Sequence, residues 1–222
     1  MIKLFEMLAF AISVIAFGYG VGAFYRQNAL RYFQLYVCAA GCYMLEELWV
    51  IVNSLFGNGS QDGLVTVRLI GFFGCLCFML SANLNEFDEM VEEKKNVKAE
   101  VLALQAPAVL LALYALYAFS GDSLEKVPVC IIGLLSISPA LAASYFSLKH
   151  LLLPDDSKGL LKRTRAIDIT ALVFYAVNYI YPFLNLHCSQ KIMCICDVAV
   201  SGILLGIMVL CRRGAKQWAI PT

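Results

Sequence analysis

Charged residues are scarce in this sequence, which argues against a soluble globular domain. They make up 15% of the 222 residues, whereas 61% are hydrophobic, and the mean hydropathy is +0.76. Soluble domains contain about 25% charged and about 45–50% apolar residues. A soluble domain of this size needs polar side chains to cover its surface. We therefore expect lipid to surround most of this protein.

Histidine is also scarce, and the familiar catalytic patterns are missing. The two histidines, His150 and His187, lie at opposite predicted membrane faces, so they cannot jointly ligate a haem. The sequence has no Gly-x-Ser-x-Gly nucleophile motif and no zinc-type ligand spacing. We therefore predict no cofactor, and nothing indicates an enzyme. A net charge of +1 without a basic domain argues against nucleic acid as a partner.

Seven apolar segments are separated by polar and turn-forming residues. Each has about 20 residues or more, the length that a helix needs to cross a hydrocarbon core about 30 Å thick. No segment alternates with period two, so helices are favoured over a barrel. The sequence predicts an all-α polytopic membrane protein in which residues 1–222 form one bundle of seven transmembrane helices. The predicted helices are Leu4–Phe24, Leu30–Phe56, Leu64–Leu84, Val101–Phe119, Val127–Leu153, Ile167–Leu186 and Ile192–Leu210.

Basic residues are distributed unequally between the two sides of the predicted bundle. Thirteen of the 17 follow the first, third, fifth and seventh segments. They are Arg26, Arg31, Lys94, Lys95, Lys98, Lys149, Lys158, Lys162, Arg163, Arg165, Arg212, Arg213 and Lys216. Short cytoplasmic loops are rich in Lys and Arg. We therefore predict an outside N-terminus, a cytoplasmic C-terminus and a multi-pass protein of the plasma membrane.

Four ionisable residues fall within the predicted outer half of the membrane: Glu46, Glu47, Arg68 and Asp197. Each costs about 2.5–3.5 kcal/mol to insert, so such residues are candidates for function. We expect an outward-facing pocket for a small cationic or polar ligand, because carboxylates and aromatic faces both attract cations. Its other predicted residues are Trp49, Tyr175, Asn178 and Tyr179. The alternative is that Arg68 pairs with one glutamate and the group only joins helices.

Cysteine and glycine patterns add two further expectations. Most of the nine cysteines lie inside predicted helices, where cysteine behaves as a small hydrophobic residue. Whether the outer-side Cys130, Cys188, Cys194 and Cys196 form a disulfide is left open. Gly18-x-x-x-Gly22 and Gly202-x-x-x-Gly206 match the small-residue motif of helix contacts, and we expect them to pack inside the bundle.

The leading functional hypothesis is a membrane receptor or sensor-type component. It would bind a small ligand from the outer face and relay the signal to a separate cytoplasmic or membrane protein. The alternative is a small transporter or permease subunit that uses its intramembrane carboxylates, and it predicts a polar path continuing inward to Asn83 and Glu86. A third possibility is a structural subunit of a membrane complex.

Overall fold

The computed structural model describes residues 2–25, 31–56, 61–84, 97–105, 107–109, 111–112, 126–153, 160–187 and 190–218. Within these ranges it describes no side chain at 2, 61–69, 126–133, 135–136, 160–163, 179–187, 190 or 215–218. All regular secondary structure in these ranges is helical, which confirms the all-α prediction. The helices are α1 (Ile2–Phe24), α2 (Arg31–Phe56), α3 (Gln61–Leu84), α4 (Val97–Ala103), α5 (Lys126–Leu152), α6 (Leu160–His187) and α7 (Gln190–Trp218).

Three helices in the described part of the chain are long and apolar enough to cross a bilayer: Lys3–Phe24, Arg31–Phe56 and Lys191–Gly214. The surface of the fold suits such an environment. Large apolar side chains such as Ile15 and Ile70 are more than half exposed, whereas several charged side chains are buried. A soluble protein has the opposite arrangement, because water favours charge on the surface and excludes apolar groups.

The six long helices form a closed ring. Neighbours around it are α1, α2, α3, α5, α6 and α7, and α7 returns to pack against α1. Helix α2 also contacts α7, and the short α4 packs against α5. Because α2 packs against α1, α3 and α7, it buries side chains along nearly its whole length, from Tyr32 to Val50.

Contacts between helices fix their relative directions. Gly71 of α3 lies against Glu46 and Gly74 against Cys42, so α2 and α3 are antiparallel. The Arg212 guanidinium lies over the Tyr19 ring at 5.0 Å, so α1 and α7 run parallel. We call the end of the ring at which α1 begins the upper end, and the end at which α1 finishes the lower end.

The closest helix approaches occur at single glycines. A Cβ atom at Gly71 would lie 2.7 Å from the Glu46 Cβ, and one at Gly20 would lie 2.8 Å from a Val37 methyl group. The two predicted packing motifs behave differently. A Cβ atom at Gly18, Gly22, Gly202 or Gly206 would have no atom within 4 Å. The prediction that these motifs pack inside the bundle is therefore wrong for the described residues, because the buried faces of α1 and α7 lie on their other sides.

Most of the predicted helix boundaries are close to the observed ones, but two helices extend further into the lower end. Helix α6 begins at Leu160, seven residues before the predicted Ile167, and α7 continues to Trp218, eight residues beyond Leu210. Charged residues mark where a bilayer ends, but Lys and Arg are good helix formers and do not stop a helix. Helix α3 also begins early, at Gln61, inside the predicted loop.

The fourth predicted segment, Val101–Phe119, is only partly described. Helix α4 begins at Val97, within the charged stretch that precedes this segment. Its bonding pattern continues past Ala103, because the Leu104 N–H donates to the Glu100 carbonyl at 3.0 Å and the Ala108 N–H donates to the Leu104 carbonyl at 3.3 Å. These are the i to i−4 bonds of an α-helix. Residues 113–119 lie outside the described ranges.

Candidate functional site

The upper half of the bundle contains an acidic group between α2 and α7, which we call the upper cluster. Its members are Tyr43, Glu46, Glu47, Asp197 and Ser201. All five side chains are buried, and Glu47 is only 1% exposed. The Tyr43 hydroxyl is the common neighbour, since it interacts with all three carboxyl groups and with the Ser201 hydroxyl. The structure therefore brings together three of the predicted ligand-binding residues.

Local helix geometry explains how both consecutive glutamates can be buried. Successive residues on a helix point about 100° apart, so they need partners on different sides. Glu46 faces α3, where Gly71 lets the helices approach, and Glu47 shares the Tyr43 neighbourhood with Asp197 of α7. Ser201 donates a hydrogen bond of 2.9 Å to the Asp197 carbonyl oxygen, which fixes its hydroxyl next to the cluster.

The other predicted ligand-binding residues are not members of the upper cluster, or their side chains lie outside the described residues. Trp49 is 40% exposed on α2, and Asn178 is half-buried, with its amide donating to the Phe174 carbonyl oxygen at 2.7 Å. The side chains of Arg68 in α3 and Tyr179 in α6 are outside the described set. Tyr175 is fully buried, and its polar neighbours belong to a second group in the lower half of the bundle.

This second group, which we call the lower cluster, was not predicted from the sequence. Its members come from four helices and are buried to 95% or more. They are Tyr32 and Tyr36 of α2, Asn83 of α3, Ser147 and His150 of α5, and Thr164, Asp168 and Tyr175 of α6. The cluster combines hydroxyl, amide, imidazole and carboxyl groups, whereas the charge-bearing residues of the upper cluster are all acidic.

His150 and Asp168 form the charged centre of the lower cluster. The His150 Nδ1 lies 3.7 Å from the Asp168 Oδ1, and the two side chains are 1% and 0% exposed. The Ser147 and Thr164 hydroxyls are further polar neighbours of the Asp168 carboxyl. Because α5 ends shortly after His150 and α6 has just begun before Asp168, the pair holds these two helices together near the lower end.

Ser147 connects this pair to α3. The Asn83 amide nitrogen lies 3.4 Å from both the Ser147 Oγ and the Ala143 carbonyl oxygen. Tyr175 interacts with Asn83, Ser147 and Asp168, which makes it part of the same group. Tyr32 and Tyr36 pack edge to face at 5.1 Å, and both interact with Asp168 from the α2 side.

Cys75 of α3 lies between the two clusters. It is fully buried and interacts both with Glu46 of the upper cluster and with Tyr175 of the lower cluster. The Phe174 ring lies 6.4 Å from Tyr43 and 6.2 Å from Tyr175, so an aromatic layer also separates the clusters. The buried polar groups therefore form two clusters, and the Cys75 thiol and the Phe174 ring lie between them.

Metal and disulfide chemistry receive little support from the described residues. No group of three or more His, Cys, Asp or Glu side chains suited to a metal ion occurs among them. Of the four outer-side cysteines, Cys194 is buried and Cys196 is half-buried, while the Cys130 side chain and Cys188 lie outside the described residues.

No protein-family model, curated protein or solved structure matches this chain.

Proposed function

We propose that this chain is a seven-span membrane protein with an outside N-terminus, and that it acts as a receptor or sensor for a small ligand. Three features support the seven spans. Helices α1 and α7 run parallel, α3 finishes at the lower end, and α5 finishes there as well, beside the Asn83 contact. A fourth span between α3 and α5, as the sequence predicts, is consistent with these directions because it would bring the chain back to the upper end, where α5 begins.

The distribution of basic residues supports the orientation. Arg212 and Arg213 are exposed at the lower end of α7, where the positive-inside rule expects the cytoplasm. Reporter fusions test this directly. A fluorescent protein fused after Thr222 should fluoresce, and an alkaline phosphatase fused there should be inactive. The reverse result would overturn the orientation.

The receptor proposal rests on one observation: the upper cluster and the exposed lower end share the uninterrupted helix α7. Asp197 belongs to the upper cluster, and Arg212 lies fifteen residues later on the same helix, about 22 Å away along the axis. A ligand that binds better to one position of α7 shifts the whole helix toward that position. The lower ends of α6 and α7, rich in Lys and Arg, then offer a partner a changed surface.

The chemistry of the upper cluster favours a cationic or hydrogen-bond-donating ligand. Its carboxyl and hydroxyl oxygens accept hydrogen bonds, and carboxylates attract positive charge. The Tyr43 ring adds an aromatic face beside these groups. A small amine or polyol fits this description, whereas an anion does not.

The test is a ligand screen by thermal stability on the purified full chain in lipid nanodiscs. A library of small amines and polyols should contain a compound that raises the Tm of the parent, because a ligand stabilises the state that it binds. Asp197→Asn should fold and lose this Tm increase. Glu6→Gln is the matched control, because Glu6 is a half-buried carboxyl at the upper end of α1 and outside the cluster.

Two results would contradict the receptor proposal. One is that no compound stabilises the parent while Asp197→Asn and Glu47→Gln both unfold, which would mean that the cluster only joins helices. The other is that Asp197→Asn keeps the full ligand response.

A transporter is the second candidate, and the lower cluster favours it. A transporter needs polar groups along the path of its substrate, and buried Asn83 belongs to a cluster that Cys75 joins to Glu46. Uptake of the stabilising compound into proteoliposomes distinguishes the two candidates. Accumulation inside the vesicles supports a transporter, and binding without accumulation supports a receptor.

A further inference from the structure

The lower cluster places two titratable side chains together inside the bundle, in a site separate from the proposed ligand site. His150 and Asp168 lie on adjacent helices with their nearest ionisable atoms 3.7 Å apart. Tyr36, the α2 residue of this group nearest to the upper cluster, is seven residues from Tyr43, or about 10 Å along the helix axis. The Phe174 ring lies between the two groups, next to both Tyr43 and Tyr175.

Several buried polar atoms around this pair make no close hydrogen bond. The hydroxyls of Tyr36 and Tyr175 and the Asn83 Oδ1 have no hydrogen bond within 3.5 Å among the described residues, and the Asp168 Oδ1 contacts the His150 Nδ1 only at 3.7 Å. Direct pairing between helices would satisfy such groups without any other molecule. In the lower cluster, hydroxyl donors and oxygen acceptors both remain without a close hydrogen bond, and a water molecule can both accept from the donors and donate to the acceptors. The cluster therefore suits internal water molecules.

The charged and titratable groups facing the pair leave few candidates for proton exchange. On α5, Lys149 is buried with its Nζ 5.9 Å from the Phe146 ring centroid, and Arg165 of α6 is half-buried. Tyr32 and Tyr36 of α2, Tyr175 of α6 and Cys211 of α7 also interact with Asp168. Lys98 and Glu100 are on α4, which packs against α5. Of these groups, only His150 and Asp168 form an ion pair among the described side chains of the lower cluster, so we assign the exchangeable proton to these two side chains.

We propose that the lower cluster is a hydrated proton-binding site, in which the His150–Asp168 pair exchanges one proton with water from the lower end. Uptake forms one N–H or O–H bond on the pair and converts a hydronium ion to water, and release reverses this step. His150 lies two residues before the end of α5, so the lower end is the nearer source of water. The surrounding hydroxyls can rotate to donate or accept, so they can stabilise either protonation state. Buried Asp and His side chains form proton relays in many membrane proteins.

Nuclear magnetic resonance of the two histidines tests this proposal without any variant. The full chain, labelled with ¹⁵N only in histidine and placed in lipid nanodiscs, gives imidazole signals from two residues, and His187→Gln assigns them. The His150 signals should change when the pH of the sample is varied, because gain or loss of a proton on the pair alters the imidazole nitrogens. If they stay constant over the whole pH range in which the protein remains folded, the pair exchanges no proton and the proposal is wrong.

Removing the carboxylate tests the role of Asp168. In Asp168→Asn the pH dependence of the His150 signals should change, because the variant removes the carboxyl group that lies 3.7 Å from the His150 Nδ1. Glu6→Gln should leave this pH dependence unchanged. An unchanged pH dependence in Asp168→Asn would overturn the pairing. If this variant does not fold, the titration of the parent protein decides alone. A failed ligand screen at the upper cluster affects neither result.

Discussion

Gly71→Ala tests whether α2 and α3 are as close as described. A Cβ atom at position 71 would lie 2.7 Å from the Glu46 Cβ, 3.3 Å from the Cys42 carbonyl oxygen and 3.4 Å from the Glu46 Cα. Carbon atoms pack favourably at about 3.5–4.0 Å. No change of rotamer relieves the contact, because Cβ and backbone atoms move only with their helix. The two helices must therefore separate by about 1 Å.

The expected magnitude follows from a matched comparison with Gly18→Ala. Both substitutions replace a helical glycine and gain about 0.5–1 kcal/mol of helix propensity, so this gain cancels between them. A Cβ atom at Gly18 meets no atom within 4 Å, whereas Gly71→Ala overpacks an interface at a cost of about 1–3 kcal/mol. The Tm of Gly71→Ala should be roughly 2–12 °C lower than that of Gly18→Ala.

The assay is thermal unfolding of both variants in the same detergent, followed by circular dichroism. Gly20→Ala should fall between them, because its clash is with side-chain atoms of Val37 and Met208. Gly71→Ala should also weaken any ligand response, since Glu46 sits directly on the displaced contact. Equal stability of Gly71→Ala and Gly18→Ala would refute the close approach of α2 and α3.

Two further predictions concern polar contacts near the lower end. Asn83→Ala should lower the free energy of unfolding by about 0.5–1.5 kcal/mol, because it removes the amide contacts to Ser147 and Ala143. The control is Ser81→Ala, which removes a hydroxyl that bonds to the Cys77 carbonyl oxygen within α3 and should lower the free energy of unfolding by less. An equal decrease in both variants would contradict the contact between α3 and α5. Arg212→Ala should lower the free energy of unfolding by about 0.5–1 kcal/mol, because the contact with the Tyr19 ring is lost. Arg213 is also exposed, and Arg213→Ala should leave the free energy of unfolding nearly unchanged in the same assay.

The sequence predicts the helical class and the first two helices well, because their limits are set by long apolar runs. Leu4–Phe24 and Leu30–Phe56 differ from α1 and α2 by one or two residues at one end only. The burial of Glu46, Glu47 and Asp197 is also predictable from their cost in lipid. Their grouping around Tyr43 is not, since it depends on which faces of α2 and α7 meet.

The lower cluster was missed because of a boundary error. With α6 predicted to start at Ile167, Asp168 falls in its first turn, where a carboxylate is solvated and favourable. Since the helix begins at Leu160, Asp168 lies in its third turn and is fully buried. One sequence signal was present: Thr164, Asp168 and Tyr175 follow helical spacing and form one polar stripe. On α5, Ser144 and Ser147 lie on the same side as His150 in the same way.

The glycines show why a motif cannot replace the knowledge of which helices cross. A Gly-x-x-x-Gly motif indicates only that a helix has a strip of small residues on one face. Whether that strip is used depends on the position of the neighbouring helix, and on α1 the neighbour meets Gly20, which points away from Gly18 and Gly22. On α3 the approach to α2 uses Gly71 and Gly74, which are three residues apart. They lie against Glu46 and Cys42 of the antiparallel helix α2, which are four residues apart. Close contact is thus a property of a pair of helices: α2 and α3 fix the position of Glu46, whereas α2 and α7 bring Glu47 and Asp197 to Tyr43.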